Sequence, residues 1–188
     1  MRRWLVFLCA AALHAQQVVD AVAVVSMPVE KKIELPGELL AFQQAALRAT
    51  AEGIVEKVLV DRGSRVAEGE LLATVSGVGE IRAPFAGVIT ARYVHPGELA
   101  GPHDGVLFDL AQSSRLRLVV SVPEEDAGSI PRGDVTFRVP AYPGSAFHGT
   151  VTRSAGALDP KTHVLPVEVD VRNPAGRLMP GMRATASW

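Results

Sequence analysis

The residues of this chain that could do chemistry are scattered histidines, two methionines, a short acidic run and a single cysteine. His95, His103, His148 and His163 do not share a helix face, and no H-x-x-x-H or H-E-x-x-H pattern occurs. His103 and Asp104, taken with His95, come nearest to a metal-ligand set, but their spacing favours ordinary surface side chains. Met179 and Met182 flank Pro180-Gly181. Thioethers can hold soft metals, yet two methionines beside a turn read first as packing residues. Glu124, Glu125 and Asp126 follow Pro123. Proline in a first turn with acids near the positive end of the dipole predicts a short helix rather than a catalytic pair. No serine sits in G-x-S-x-G, and the glycines between residues 101 and 105 lack the lysine and helix of a phosphate loop. The sequence therefore assigns no catalytic, cofactor-binding or metal residue, and a non-enzymatic role is expected.

Net charge is −1, which gives no electrostatic reason to expect nucleic acid or an anionic membrane as partner. The 48% of hydrophobic residues suffices for a core, while few aromatics and many valines, glycines and prolines suit short strands and tight turns. The N-terminus reads as an export signal. Arg2 and Arg3 precede an apolar stretch at residues 4–13, too short to span a bilayer, and cleavage is placed after Ala15. Leu13 is a poor match at the −3 position. Cys9 is preceded by the bulky Leu8, which argues against lipidation. Cleavage after Ala15 leaves a mature chain without cysteine, and so without disulfides or thiol chemistry.

The elements that must position any site are dominated by an internal repeat. Residues 49–75 (ATAEGIVEKVLVDRGSRVAEGELLATV) align with residues 83–110 (APFAGVITARYVHPGELAGPHDGVLFDL). Gly53 falls on Gly87, Gly63 on Gly97, and Gly69 on Gly105 after a small gap. Each copy reads as strand, tight turn, strand, turn, strand, with glycine where a turn would demand positive φ. Neither copy can bury its own apolar face, but two together can close a flattened β-sandwich. Before the repeat, residues 18–25 are expected as a strand, and residues 30–40 as a strand-like segment broken at Pro36-Gly37. Residues 41–51 are expected to be extended for lack of helix caps. After the repeat, residues 115–122 (RLRLVVSV) alternate strictly. Further strands are expected at residues 135–139, 147–154, 164–171 and 183–188, which suggests a barrel or sandwich.

The stretches EGIVEKVLVDRGSRVAEGELLATV, IRAPFAGVITARYVHPGELA, LFDLAQSSRLRLVVSVPEED and the terminal L-x-P-G-M-x-A carry a family likeness. The repeat resembles a lipoyl/biotinyl-type domain. The whole, from about Glu30 on, resembles the membrane fusion proteins, periplasmic adaptors of RND-type efflux pumps and hemolysin-type secretion systems. The expected fold is mainly β with little helix: a lipoyl/biotinyl-like flattened sandwich plus a β-barrel. Expected boundaries are a signal peptide at residues 1–15, N-terminal strands partly of the barrel at 16–46, the lipoyl-like domain at 47–110 and the barrel at 111–188. Many such adaptors carry a long helical hairpin between the two half-motifs. Here only residues 76–80 (SGVGE) separate Val75 from Ile81, whereas even two-turn helices would need more than about fifteen residues. The hairpin is therefore absent. A lipoyl or biotinyl carrier needs a lysine at that tip, and the nearest before it is Lys57, inside a strand, so no cofactor is expected. The chain stops at Trp188, and the resemblance then implies a membrane-proximal domain that is missing or reduced to the N-terminal segment.

By this resemblance the protein is expected in the periplasm, associated with the inner membrane through an RND-type transporter, as a homo-oligomer in the assembled pump. Without the hairpin, two alternatives are expected, direct contact of the lipoyl-like domain with an outer-membrane channel or assistance to the transporter only, and no nucleic acid is expected as partner. Gly53, Gly63, Gly69, Ala83, Pro84, Gly87 and Gly97 are expected to shape the lipoyl-like unit, and Pro180, Gly181 and Met182 the barrel's last turn. The edge around Arg62, Arg65 and Arg92 is the expected partner contact. The competing reading is a free-standing periplasmic module that binds a ligand or metal. It would need convergent histidines or carboxylates.

Overall fold

The computed structural model describes residues 32–188; the expected signal, Cys9 and the strand at residues 18–25 lie outside the described residues. The fold is mainly β: a closed six-stranded barrel and a sandwich of two four-stranded sheets. Among the described residues the single helical element is one 3₁₀ stretch, Glu124–Ser129. The chain enters the barrel with β1 (Glu34–Ala41) and crosses to build the sandwich from β2 (Gln44–Leu47), β3 (Gly53–Val58), β4 (Arg65–Val66) and β5 (Leu71–Val75). The sandwich continues with β6 (Gly79–Arg82), β7 (Gly87–Arg92), β8 (Leu99–Ala100) and β9 (Phe108–Ala111). The chain then returns to the barrel with β10 (Arg115–Pro123), β11 (Asp134–Arg138), β12 (Ala146–Ser154), β13 (Val164–Arg172) and β14 (Arg183–Ser187).

The sandwich sheets run β2-β9-β7-β4 and β6-β5-β3-β8. Each copy of the repeat keeps its second and fourth strands together and lends its first and third to the other sheet. Gly53 pairs with Ala100 and Ile54 with Leu99; in the other copy Gly87 pairs with Val66 and Val88 with Arg65. The turns follow the same symmetry: Gly63 N–H donates to Ile89 O at 2.8 Å and Gly97 N–H to Val55 O at 2.7 Å. The repeat is thus one strand longer per copy than the sequence shows, because β2 and β6 occupy equivalent places with unrelated sequences. Interleaving explains why neither copy can stand alone. Leu72, Ile89, Phe108 and Leu110 are buried from both copies in one core.

Gly63 and Gly97 sit at φ +90° and +91°, where a side chain is strained. Gly53 and Gly87 serve a different need, since neither has positive φ. A Cβ on Gly53 would run into the Ser76 carbonyl, and one on Gly87 would lie 2.5 Å from the Ala111 carbonyl oxygen. They are the points where one strand crosses hard against the end of another.

The barrel order is β1-β10-β13-β12-β11-β14, closed by β14 on β1. Strict alternation puts Leu116, Leu118, Val120 and Val122 inside, with Val167, Val169 and Val171 from β13. Each such side chain contributes about 1.5–3 kcal/mol by burial. Phe137 stacks on Phe147 with centroids 5.6 Å apart.

Three details depart from expectation. Pro36-Gly37 does not break β1, which runs through both. Pairing with β10 begins only at Gly37, so the missing N–H of Pro36 removes no ladder bond on that side. The tip turn is residues 76–78, since Gly79 and Glu80 already pair with Val75 and Thr74. The acidic run forms a 3₁₀ helix in which Pro123 is an extended N-cap (ψ 153°) rather than a residue of the first turn.

Residues 42–43 and 112–114 connect sandwich and barrel, and Asn173 locks the second of these to the loop between β13 and β14. Its side-chain N–H groups donate to Ser113 O and Leu178 O, both at 2.8 Å, and its oxygen accepts from Leu178 N–H at 3.1 Å. Its own backbone N–H donates to Ser114 O at 2.8 Å. Beside it, Arg115 stacks over the Phe42 ring at 4.0 Å. Asn173→Ala leaves two buried main-chain groups of Leu178 and the part-buried Ser113 carbonyl without their partner, and is expected to lower stability by about 2–3 kcal/mol in urea unfolding. Gly53→Ala and Gly87→Ala are each expected to cost about 1–3 kcal/mol in the same measurement, from steric clash rather than from φ.

Candidate functional site

The sandwich has two ends related by its internal symmetry, and they meet different fates. At the barrel end, the cross-strand pair Arg65–Val88 lines a cleft of about 390 Å³ closed on the other side by Leu178, Met179 and Pro180. The Arg65 guanidinium lies against the chain at Gly176, where a Cβ would stand 3.0 Å from Nη2. This end is an intramolecular joint.

At the far end, the equivalent pair is Ile54–Leu99. These side chains are 54% and 61% exposed. The tip turn locks beside them: Ser76 N–H donates to Ile54 O at 2.8 Å, and Ile54 N–H donates to Ser76 Oγ at 3.1 Å. Acids rim the pair, since Gly101 lies against both the Asp104 carboxylate and the Glu52 side chain. β8 is a two-residue strand at the edge of its sheet, with Leu99 exposed and Ala100 buried. Single exposed leucines are ordinary, but this is an adjoining apolar pair at a sheet edge whose symmetry mate is covered, which makes it a candidate contact surface.

The three arginines of the expected contact edge have three different surroundings. Arg62 lies on the exposed turn at residues 61–64. Arg65 belongs to the joint. Arg92 braces the sandwich: its Nε donates to Asp61 Oδ1 at 3.0 Å and its Nη1 to Val94 O at 2.8 Å. The Arg62 backbone N–H and then Arg92 hold the Asp61 carboxyl below the usual aspartate range. Among the turn residues, Gly69 N–H donates to Ala83 O at 2.8 Å and Ala83 N–H to Glu70 O at 2.9 Å, with Pro84 next along the chain. At the barrel's last turn, Gly181 N–H donates to Leu39 O at 2.6 Å and Leu39 N–H to Met182 O at 2.9 Å. Pro180 borders the joint cleft.

The chemistry-bearing residues are apart. His95 faces Glu98 at 3.2 Å, His148 faces Thr136 at 3.4 Å, and His163 lies 3.7 Å from Glu124. Among the described residues no group of three or more His, Cys, Asp or Glu is placed to hold a metal. The Met182 sulfur accepts the Met179 N–H at 3.4 Å. Lys57 lies in β3, and the tip turn carries no lysine. Sequence reasoning missed Ile54, Leu99 and Asn173. The repeat alignment holds a signal for Leu99, since it sets a leucine against Arg65. Asn173 lies in an Asn-Pro pair that reads as a plain turn.

Comparison with known proteins follows the same division of the chain. Residues 116–188 match the family described as CusB-like, beta-barrel domain. A putative efflux system component, YhbJ, of Bacillus subtilis is 26% identical, over 78% of this chain and 74% of its own length. Among solved structures, a MacA-MexA chimeric protein containing the Pseudomonas aeruginosa MexA alpha-hairpin domain superposes with TM-score 0.74 at 16% identity, covering 85% of this chain and 82% of that one. ZneB from Cupriavidus metallidurans gives TM-score 0.70 at 16% identity, over 83% of this chain and 70% of its own. Residues 116–188 thus carry a CusB-like beta-barrel domain, and the chain as a whole resembles an efflux system component in sequence and the membrane fusion proteins in fold.

Proposed function

We propose that the protein is a non-enzymatic periplasmic adaptor of an RND-type efflux pump, exported by its N-terminal signal. In this reading it assembles as a homo-oligomer on an inner-membrane transporter and supports export across the envelope. The observation that carries the reading is a CusB-like barrel locked to a sandwich whose free end bears an exposed apolar pair beside a three-residue turn. Binding of this kind runs on shape and burial, and needs no catalytic group. Among the described residues no helix is long and apolar enough to cross a membrane, which leaves membrane association to the partner or to the N-terminal segment. The tip turn takes the place of the hairpin, so the Ile54–Leu99 surface is the part that meets the next component, an outer-membrane channel.

Crosslinking the tagged protein in its native envelope, followed by mass spectrometry, is expected to recover an RND-type transporter. Recovery of the protein alone would overturn the adaptor reading. The double substitution Ile54→Ser with Leu99→Ser should leave thermal unfolding unchanged within a few degrees. It should cut crosslinking to a channel about tenfold, equivalent to ~1.4 kcal/mol. Undiminished crosslinking in the double variant would assign channel contact to another surface.

A further inference from the structure

The barrel wall has an opening that the adaptor role does not use. β12 is paired with β11 from Ala146 to Thr150, but with β13 only from Thr150–Asp170 onward. Gly149 is buried and still packs against β13, where a Cβ would stand 3.0 Å from the Asp170 carbonyl oxygen, so it is residues 146–148 that have no strand on their β13 side. β13 itself continues to Arg172, paired there with β10. The two strands part as a wedge, and between them lies a groove of about 930 Å³ whose walls include Arg115, Asp134, His148, Asp170 and Arg172.

The backbone of that wedge is ready to pair. Val151 N–H donates to Gly133 O at 2.8 Å, toward the β11 side. Antiparallel bonding alternates along a strand, so the N–H and C=O of residues 148 and 146 point the other way, into the groove. An open edge of this kind is a template for an added strand. The free edge of residues 146–148 is about 10 Å long, enough for a short added strand.

The charges say what kind of strand fits. Arg115 and Arg172 stand directly opposite each other across β10 and β13, a like-charge pair that the sheet disfavours. Arg115 is compensated by Asp170 at 3.1 Å. Arg172 is exposed and has no ion pair among the described residues. Asp134, at the other side of the groove, accepts the Thr150 hydroxyl at 2.7 Å. One arginine is thus left without a carboxylate beside an open strand edge.

We propose that this groove binds an extended acidic segment of a partner protein, which adds as a strand to β12 and places a carboxylate on Arg172. The reading does not depend on pump assembly, and it is tested on the protein alone. The probe is the acetylated, amidated peptide Thr-Glu-Thr-Asp-Thr, which copies no strand of the barrel, titrated into the ¹⁵N-labelled protein at low salt and followed by NMR. Amide shifts are expected at residues 146–149 and 170–172, with hydrogen-exchange protection appearing at residues 146 and 148. The Arg172→Glu variant should bind at least tenfold more weakly and should favour the peptide in which lysines replace the acids. Ala146→Pro removes a groove-facing donor and none that β11 uses, and should abolish protection at residue 148 while leaving the barrel's thermal unfolding in place. Equal binding of free glutarate with the same shifts would mean a carboxylate site rather than strand addition, and would overturn the proposal. So would shifts that depend on protein concentration without peptide, which would put a second copy in the groove, or an unshifted spectrum throughout.

Discussion

One side-chain amide holds the arrangement together. Asn173 is buried and satisfies main-chain groups from two segments that would otherwise have nothing to bond: residues 113–114, where the chain returns from the sandwich, and Leu178 in the loop that faces it. A buried backbone carbonyl left unpaired costs free energy comparable to a lost bond, so the joint is fixed by the need to satisfy these groups. The relative placement of Arg65 and the loop at residues 176–180 follows from that lock. So does the shape of the groove whose end is formed by Ser114 and Pro174.

The internal symmetry of the sandwich then gives the molecule its polarity. Two copies of one motif make two equivalent ends, and only one end can be covered by the barrel that the chain supplies. The covered end carries arginine where the open end carries leucine. The sequence of the repeat has been differentiated at the positions that face different surroundings, while the turn glycines and crossing glycines, which serve the fold, are the same in both copies. Differences between the copies, read against the sheet register, therefore separate what the fold needs from what contact needs.

Much of this was legible in the residues. Glycines at matching steps exposed the repeat, strict alternation at residues 115–122 exposed a barrel strand, and five residues between Val75 and Ile81 excluded a helical hairpin. What stayed hidden depends on pairing between distant segments. β2 and β6 are equivalent in space, but QAAL and GEIR share no pattern. Pro36 reads as a breaker until the register shows that its missing donor faces no partner there. Gly53 and Gly87 look like turn glycines, whereas their role is close approach. Exposure at Ile54 and Leu99, and the binding capacity of Asn173, follow from which strand lies alongside, and local propensity does not carry that information.

The closure of the barrel has a consequence for the order in which the molecule is made. β1 must pair with β14, and the whole sandwich lies between β1 and the rest of the barrel in the chain. The sandwich has all its strands once Ala111 is available, whereas the barrel keeps two open edges until Ser187 is in hand. Assembly of the first module is thus independent of the C-terminus, and that of the second is hostage to it. A chain still emerging would carry a finished sandwich on an unfinished barrel, with β1 held by β10 on one edge and open on the other until β14 arrives.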